Sequence, residues 1–104
     1  MVTLFAVFAP KAGADHLTDC VQTTDLDAAV KGCSALIADE KLTLLHLLAY
    51  TDRARAFAGK HDYDRALADL THVLTLKPDN ESLYLSRGGI YERKGDYKNA
   101  ISDV

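Results

Sequence analysis

The sequence predicts an all-α fold of stacked helical hairpins, and three observations carry that prediction. Apolar residues recur at helical offsets in three segments, and the last two of those segments start 34 residues apart. The 104 residues include only two prolines and six glycines, few for a fold with many β-turns. With 48% apolar residues the chain can bury a core and is not a disordered tail. A net charge of −3, with no basic block, argues against nucleic acid as a partner, because phosphates must be neutralised by Lys and Arg. No apolar run approaches the roughly 20 residues that a membrane span requires.

The elements follow in order. Residues 2–9 (VTLFAVFA) form a short apolar run, followed by Pro10, Lys11 and the small residues Ala12, Gly13 and Ala14. This reads as the second half of a secretory signal, residues 1–14, with a small-residue cleavage site before Asp15. No positive residue precedes the run, and the alternative is an N-terminal helix that packs its apolar face on the core. Residues 15–24 then read as a short strap that leads into a helix from about Asp25. Leu26, Ala29, Val30, Cys33, Leu36 and Ile37 form the stripe of that helix. The same offsets return in Tyr63, Ala66, Leu67, Leu70, Val73 and Leu74, and again in Tyr97, Ala100, Ile101 and Val104.

A second set lies upstream of each later stripe. Tyr50, Arg53, Ala54 and Phe57 recur 34 residues on as Tyr84, Arg87, Gly88 and Tyr91. Between the two sets lie the polar turns Lys60-His61-Asp62 and Lys94-Gly95-Asp96, where Gly95 suits a positive φ and Asp62 and Asp96 can cap the following helix. Pro78-Asp79-Asn80 breaks the chain between units. The small residues Ala54 and Ala66, and Gly88 and Ala100, allow paired helices to approach closely. Other acidic residues, Asp69 and Asp103 among them, sit singly and read as a solvated face.

A 34-residue helical hairpin with these small, aromatic and turn residues resembles the tetratricopeptide repeat; residues 87–101 (RGGIYERKGDYKNAI) carry the closest likeness. The resemblance implies an all-α fold, hairpins stacked as a short right-handed superhelix (an α-solenoid). Residues 15–42 are then an irregular N-terminal capping unit, 43–80 a complete hairpin, and 81–104 a hairpin truncated in its second helix. Its final apolar face has no polar capping helix after it, so either the natural protein continues or another copy of the chain covers that end.

The two cysteines, Cys20 and Cys33, both fall in the irregular first unit. As a disulfide they would staple the strap across the first helix, provided that residues 21–24 run extended. The signal-like start and the even cysteine count support each other in an oxidising, periplasmic or secreted setting; the alternative is two buried reduced thiols in a cytoplasmic protein. The segment from Cys20 through Asp25-Leu26 to residues 32–37 (GCSALI) also resembles the N-terminal part of repeat proteins exported by alphaproteobacteria.

No catalytic order of Ser, His and Asp, no phosphate-binding loop and no metal-ligand spacing is present, so no enzyme activity, cofactor or metal is expected. The resemblance implies instead a protein or peptide partner, lying in the concave groove made by the first helices of successive units. By spacing, Leu48, Thr51, Arg55 and Ala58 face that groove from one unit, and Ser82, Leu85, Gly89 and Glu92 from the next. Asp52 would repel a carboxylate, which sets aside the subclass that clamps the C-terminal carboxylates of chaperones. The second function class is a regulatory or substrate-recruiting segment of a larger enzyme.

Overall fold

The computed structural model describes residues 12–103, and every regular element among them is helical. The apolar run at residues 2–9, which carries the secretory-signal reading, lies outside the described residues. The helices are α1 (Ala12–Val21), α2 (Leu26–Ala38), α3 (Thr43–Gly59), α4 (Tyr63–Leu76), α5 (Glu81–Lys94) and α6 (Tyr97–Ser102), with a single 3₁₀ turn at Glu40–Leu42. Each helix packs on the next one in the chain, α1 also touches α3, and the result is an all-α helical-repeat solenoid. Its radius of gyration of 15.9 Å exceeds the roughly 13 Å of a compact domain this size, as a linear stack requires.

Local chemistry starts and stops the helices. Side chains of Asp25, Asp62, Asn80 and Asp96 accept from the backbone N–H three residues ahead, at Ala28, Arg65, Leu83 and Asn99. The side-chain and backbone N–H groups of Asn99 hold the Asp96 carboxyl below the usual carboxylate range. Helices α3 and α5 end alike: Asp62 N–H donates to Phe57 C=O and Asp96 N–H to Tyr91 C=O, both at 2.8 Å, around a left-handed residue. That residue is Gly95 (φ 92°) in one hairpin and His61 (φ 64°) in the other. Histidine is strained there by roughly 1 kcal/mol, a cost met because the turn must still reverse.

The stripes read from the sequence are the core. Ala54, Phe57, Ala66, Leu67, Leu70, Val73 and Leu74 are buried with Leu83 and Ile90 in one cluster. Cys20, Cys33, Leu36 and Ala49 form a second cluster, with Leu17, Ile37, Leu42 and Leu45 packed around it. Among the described residues of the last stripe only Ala100 is buried; Tyr97 and Ile101 are 63% and 71% exposed, and Val104 lies outside the described residues.

Two expectations need correction. Asp69 and Asp103 do not lie on a solvated face. Asp69 takes a two-pronged contact from Arg53, at 2.8 and 2.7 Å, and Asp103 takes the same from Arg87, at 2.7 and 2.8 Å. Both carboxylates are almost wholly buried. The third arm of each guanidinium reaches the preceding hairpin, Arg53 to Ser34 and Arg87 to Thr71. Each arginine also lies over two aromatic rings, Arg53 over Tyr50 and Phe57, Arg87 over Tyr84 and Tyr91. Donating hydrogen bonds to Asp69 and Asp103 raises the pKa of both arginines further, so both stay charged at any accessible pH.

The second correction concerns the strap. Its residues up to Val21 form helix α1, and only residues 22–25 turn. The disulfide Cys20–Cys33 nevertheless forms, between two helices whose Cα atoms stand 4.5 Å apart at those residues. Gly32 makes that approach feasible: a Cβ there would lie 2.7 Å from the Asp19 Cβ and from the His16 carbonyl oxygen, and 2.8 Å from the Cys20 nitrogen. Two helices that would normally stand 8–10 Å apart therefore touch backbone to backbone.

Further ion pairs tie hairpin to hairpin. Lys60, just past the end of α3, contacts Asp27 in the first turn of α2, and Lys94, at the end of α5, reaches Asp64 in the first turn of α4 at 2.6 Å. The contact with Asp64 raises the Lys94 pKa.

Two outcomes are expected. Asp69→Ala strands the guanidinium of Arg53 and should cost about 3 kcal/mol, measured by urea unfolding, while the double change Arg53→Met with Asp69→Leu restores most of it. A loss no larger than an exposed pair gives would mean that the contact does not hold the hairpins. Removing the disulfide by Cys20→Ser with Cys33→Ser should cost about 3 kcal/mol, with the lost hydrogen-exchange protection concentrated in α1.

Candidate functional site

Helices α3 and α5 are the first helices of the last two hairpins, and between their N-terminal halves lies a cavity of about 580 Å³. Leu47, Leu48, Thr51 and Asp52 line it from α3, Val73 and Lys77 from α4 and its end, and Asn80, Ser82 and Leu83 from the start of α5. The two hairpins diverge here because Pro78 and Asp79 turn the chain before Asn80 caps α5. The floor is apolar, from Leu47, Val73 and Leu83, and the rim is polar.

Three residues predicted from spacing meet at this cavity: Leu48, Thr51 and Ser82. Leu48 is 40% exposed on this face of α3. Thr51 turns its hydroxyl back to donate to the Leu47 carbonyl at 2.8 Å, which leaves its methyl group for the cavity.

The other predicted residues lie elsewhere. Arg55 points away from the cavity, donating to the carbonyls of Cys20 (3.3 Å) and Gln22 (3.4 Å) in the stapled hairpin. It also contacts Asp52 at 3.3 Å. The carboxylate of Asp52 at the cavity rim is thereby partly balanced. Ala58 is buried, and its carbonyl is 3.5 Å from the Arg93 guanidinium. Leu85, Gly89 and Glu92 line a second cavity of about 340 Å³ at the far end, with Tyr97 and Ile101.

Sequence reasoning missed Leu44, which is 95% exposed one helical turn before Leu48. The signal was available: leucines four apart, off the stripe that the hairpin uses. It also missed Lys77 and Asn80, since both stand in the connecting segment and their place at the rim depends on how the chain turns.

Asp52 is engaged by Arg55; His46 contacts the Asp39 carbonyl at 3.1 Å, and His72 stacks on Tyr50 with centroids 4.3 Å apart. Among the described residues no group of His, Cys, Asp and Glu is placed to hold a metal ion, and no helix is long and apolar enough to cross a membrane. The arrangement offers an apolar slot with a charged and amide-bearing rim, wide enough to enclose an apolar side chain.

Comparison with protein families matches the chain to the tetratricopeptide repeat at residues 47–80 and again at 81–103, together more than half its length. These bounds divide the chain at the Pro78–Asn80 turn, as the two hairpins do. No curated protein matches the chain.

Proposed function

Since the chain belongs to the tetratricopeptide-repeat family, whose members generally mediate protein–protein interaction, we propose that it is a non-catalytic scaffold that binds a peptide segment of a partner in the cavity between α3 and α5. The observation that carries this reading is Leu48, 40% exposed on the wall of a polar-rimmed apolar cavity, with the exposed Leu44 one helical turn before it. An apolar side chain at the wall of such a cavity suits contact with an apolar side chain of a partner. A peptide offering one or two apolar side chains, with a donor toward Asp52 and an acceptor toward Lys77, complements the slot.

We further propose that the protein works in an oxidising compartment, such as the periplasm or the exterior of a bacterium. The disulfide Cys20–Cys33 supports that setting, because such a bond persists where thiols are not kept reduced. The apolar run at residues 2–9 and the likeness of residues 20–37 to exported alphaproteobacterial proteins point the same way.

Peptides selected on the full chain from a display library test the first proposal. Leu48→Glu should weaken their binding at least about tenfold, as loss of a central anchor does, and Ile101→Glu should leave it unchanged. Peptides indifferent to Leu48→Glu would place the binding surface elsewhere. The second proposal is tested by thiol titration of the protein denatured without reductant: no reactive thiol is expected, and two would overturn it.

A further inference from the structure

We propose that Arg55 is a positioning residue for the cavity between α3 and α5. It holds the carboxylate of Asp52 ready for a hydrogen-bond donor of the bound peptide, and it is itself held by the disulfide-stapled end of α1. This role rests on the peptide-binding reading of the cavity, and it adds control from a hairpin that contributes no lining residue.

The links run in sequence from sulfur to cavity. Cys20 is joined to Cys33, which fixes the last turn of α1 on α2. The carbonyl of the same Cys20 accepts from Arg55 Nη2 at 3.3 Å, and the Gln22 carbonyl accepts from that nitrogen at 3.4 Å. The Nε of this guanidinium donates to Asp52 Oδ1, also at 3.3 Å. The other oxygen, Oδ2, takes no hydrogen bond from any described residue, and Asp52 lines the cavity. Bonds of this length are weaker than usual, so no one of them holds the guanidinium alone. Because the group is planar with donors in fixed directions, anchoring Nη2 on α1 also fixes where Nε points.

The anchor depends on the disulfide. Helix α1 has ten residues, fewer than a helix needs to persist without tertiary support. Among its described residues Cys20 is wholly buried, Leu17 packs at the edge of the same cluster, and Val21 is 44% exposed. With the bridge cut, the apolar hold on α1 rests mainly on Leu17 and the Cys20 side chain. The carbonyls that Arg55 uses then lose their fixed place.

The arrangement belongs to the α3 wall. Ser86 and Gly89 stand 34 residues after Asp52 and Arg55, so α5 carries neither the acid nor its holder. The polar lining residues at the start of α5, Asn80 and Ser82, are uncharged. Among the lining residues Asp52 is therefore the one charged acceptor, and it stands on the same wall as the apolar Leu48. A peptide with a donor next to an apolar anchor fits this pair, and its donor reads how firmly Arg55 holds Asp52.

The test uses the full 104-residue chain and a peptide selected on it from a display library. Affinities are read by calorimetry, and the folding of every variant is checked by circular dichroism. An alanine scan of the peptide, against the chain and against Asp52→Ala, identifies the donor position as the one whose loss matters only when Asp52 is present. Arg55→Ala should weaken the parent peptide about fivefold, in line with coupling carried by a side-chain network, and leave the peptide without the donor unchanged. Arg55→Lys should not restore affinity, because one ammonium cannot span the α1 carbonyls and Asp52. Cys20→Ser with Cys33→Ser should give a similar loss, and adding Arg55→Ala to that pair no further loss, as expected of links in one network. Equal losses for both peptides, additive losses, rescue by Arg55→Lys, or a scan with no donor position overturns the proposal. Should the disulfide variant unfold, the Arg55 comparisons decide alone. If Leu48→Glu leaves the parent peptide unaffected, the peptide-binding reading of the cavity falls and takes this proposal with it. A strong effect of Leu48→Glu with none of Arg55→Ala removes this proposal alone.

Discussion

The guanidinium groups of Arg53 and Arg87 are the fasteners on which the stack depends. Each holds the buried carboxylate of its own hairpin and, with its remaining arm, a hydroxyl of the hairpin before. Arginine suits this task because its planar fork presents donors in fixed directions, two to a carboxylate and one to a neighbour. Apolar packing alone would let one hairpin slide along or rotate against the next, since hydrophobic contact has no preferred direction. The arginine contacts remove that freedom, and with them the spacing between front helices becomes defined. The cavity between α3 and α5 inherits its width from this restraint.

Much of this could be read in the sequence. The stripes from Leu26 and Tyr63, the caps at Asp62 and Asp96 and the left-handed turn at Gly95 all follow from local rules, and all stand in the structure. Arg53 and Arg87 were visible as members of a repeating set, as were Asp69 and Asp103, yet the pairing was not. A spacing of 16 residues across a helical turn has no local signature, and an aspartate beside an apolar stripe looks the same whether it meets solvent or a buried guanidinium. The helix at α1 was hidden for a related reason. A strap appeared necessary to bring Cys20 and Cys33 together, because the close approach allowed by Gly32 depends on two backbones meeting, not on either alone.

The candidate site was legible in part. Leu48, Thr51 and Ser82 follow from the register of the repeat, which places them on the front of α3 and α5. Arg55 shares that register and yet serves the neighbouring hairpin, because the carbonyls of Cys20 and Gln22 lie within its reach at the end of α1. Those carbonyls are free to accept because α1 stops there, leaving them without partners in a following turn. The departure of Arg55 from the groove is thus a consequence of where a different helix ends, which no periodicity reports.

The disulfide makes one junction of this linear stack unlike the others. Cys20–Cys33 ties α1 to α2 covalently, while every later junction rests on packing, hydrogen bonds and ion pairs between neighbours. Such a body behaves as a cantilever: small rotations at successive junctions add up along its length and are largest farthest from the clamp. The spacing of α1 and α2 is therefore the stiffest in the described stack, and even the arginine-held opening between α3 and α5 yields more than it does.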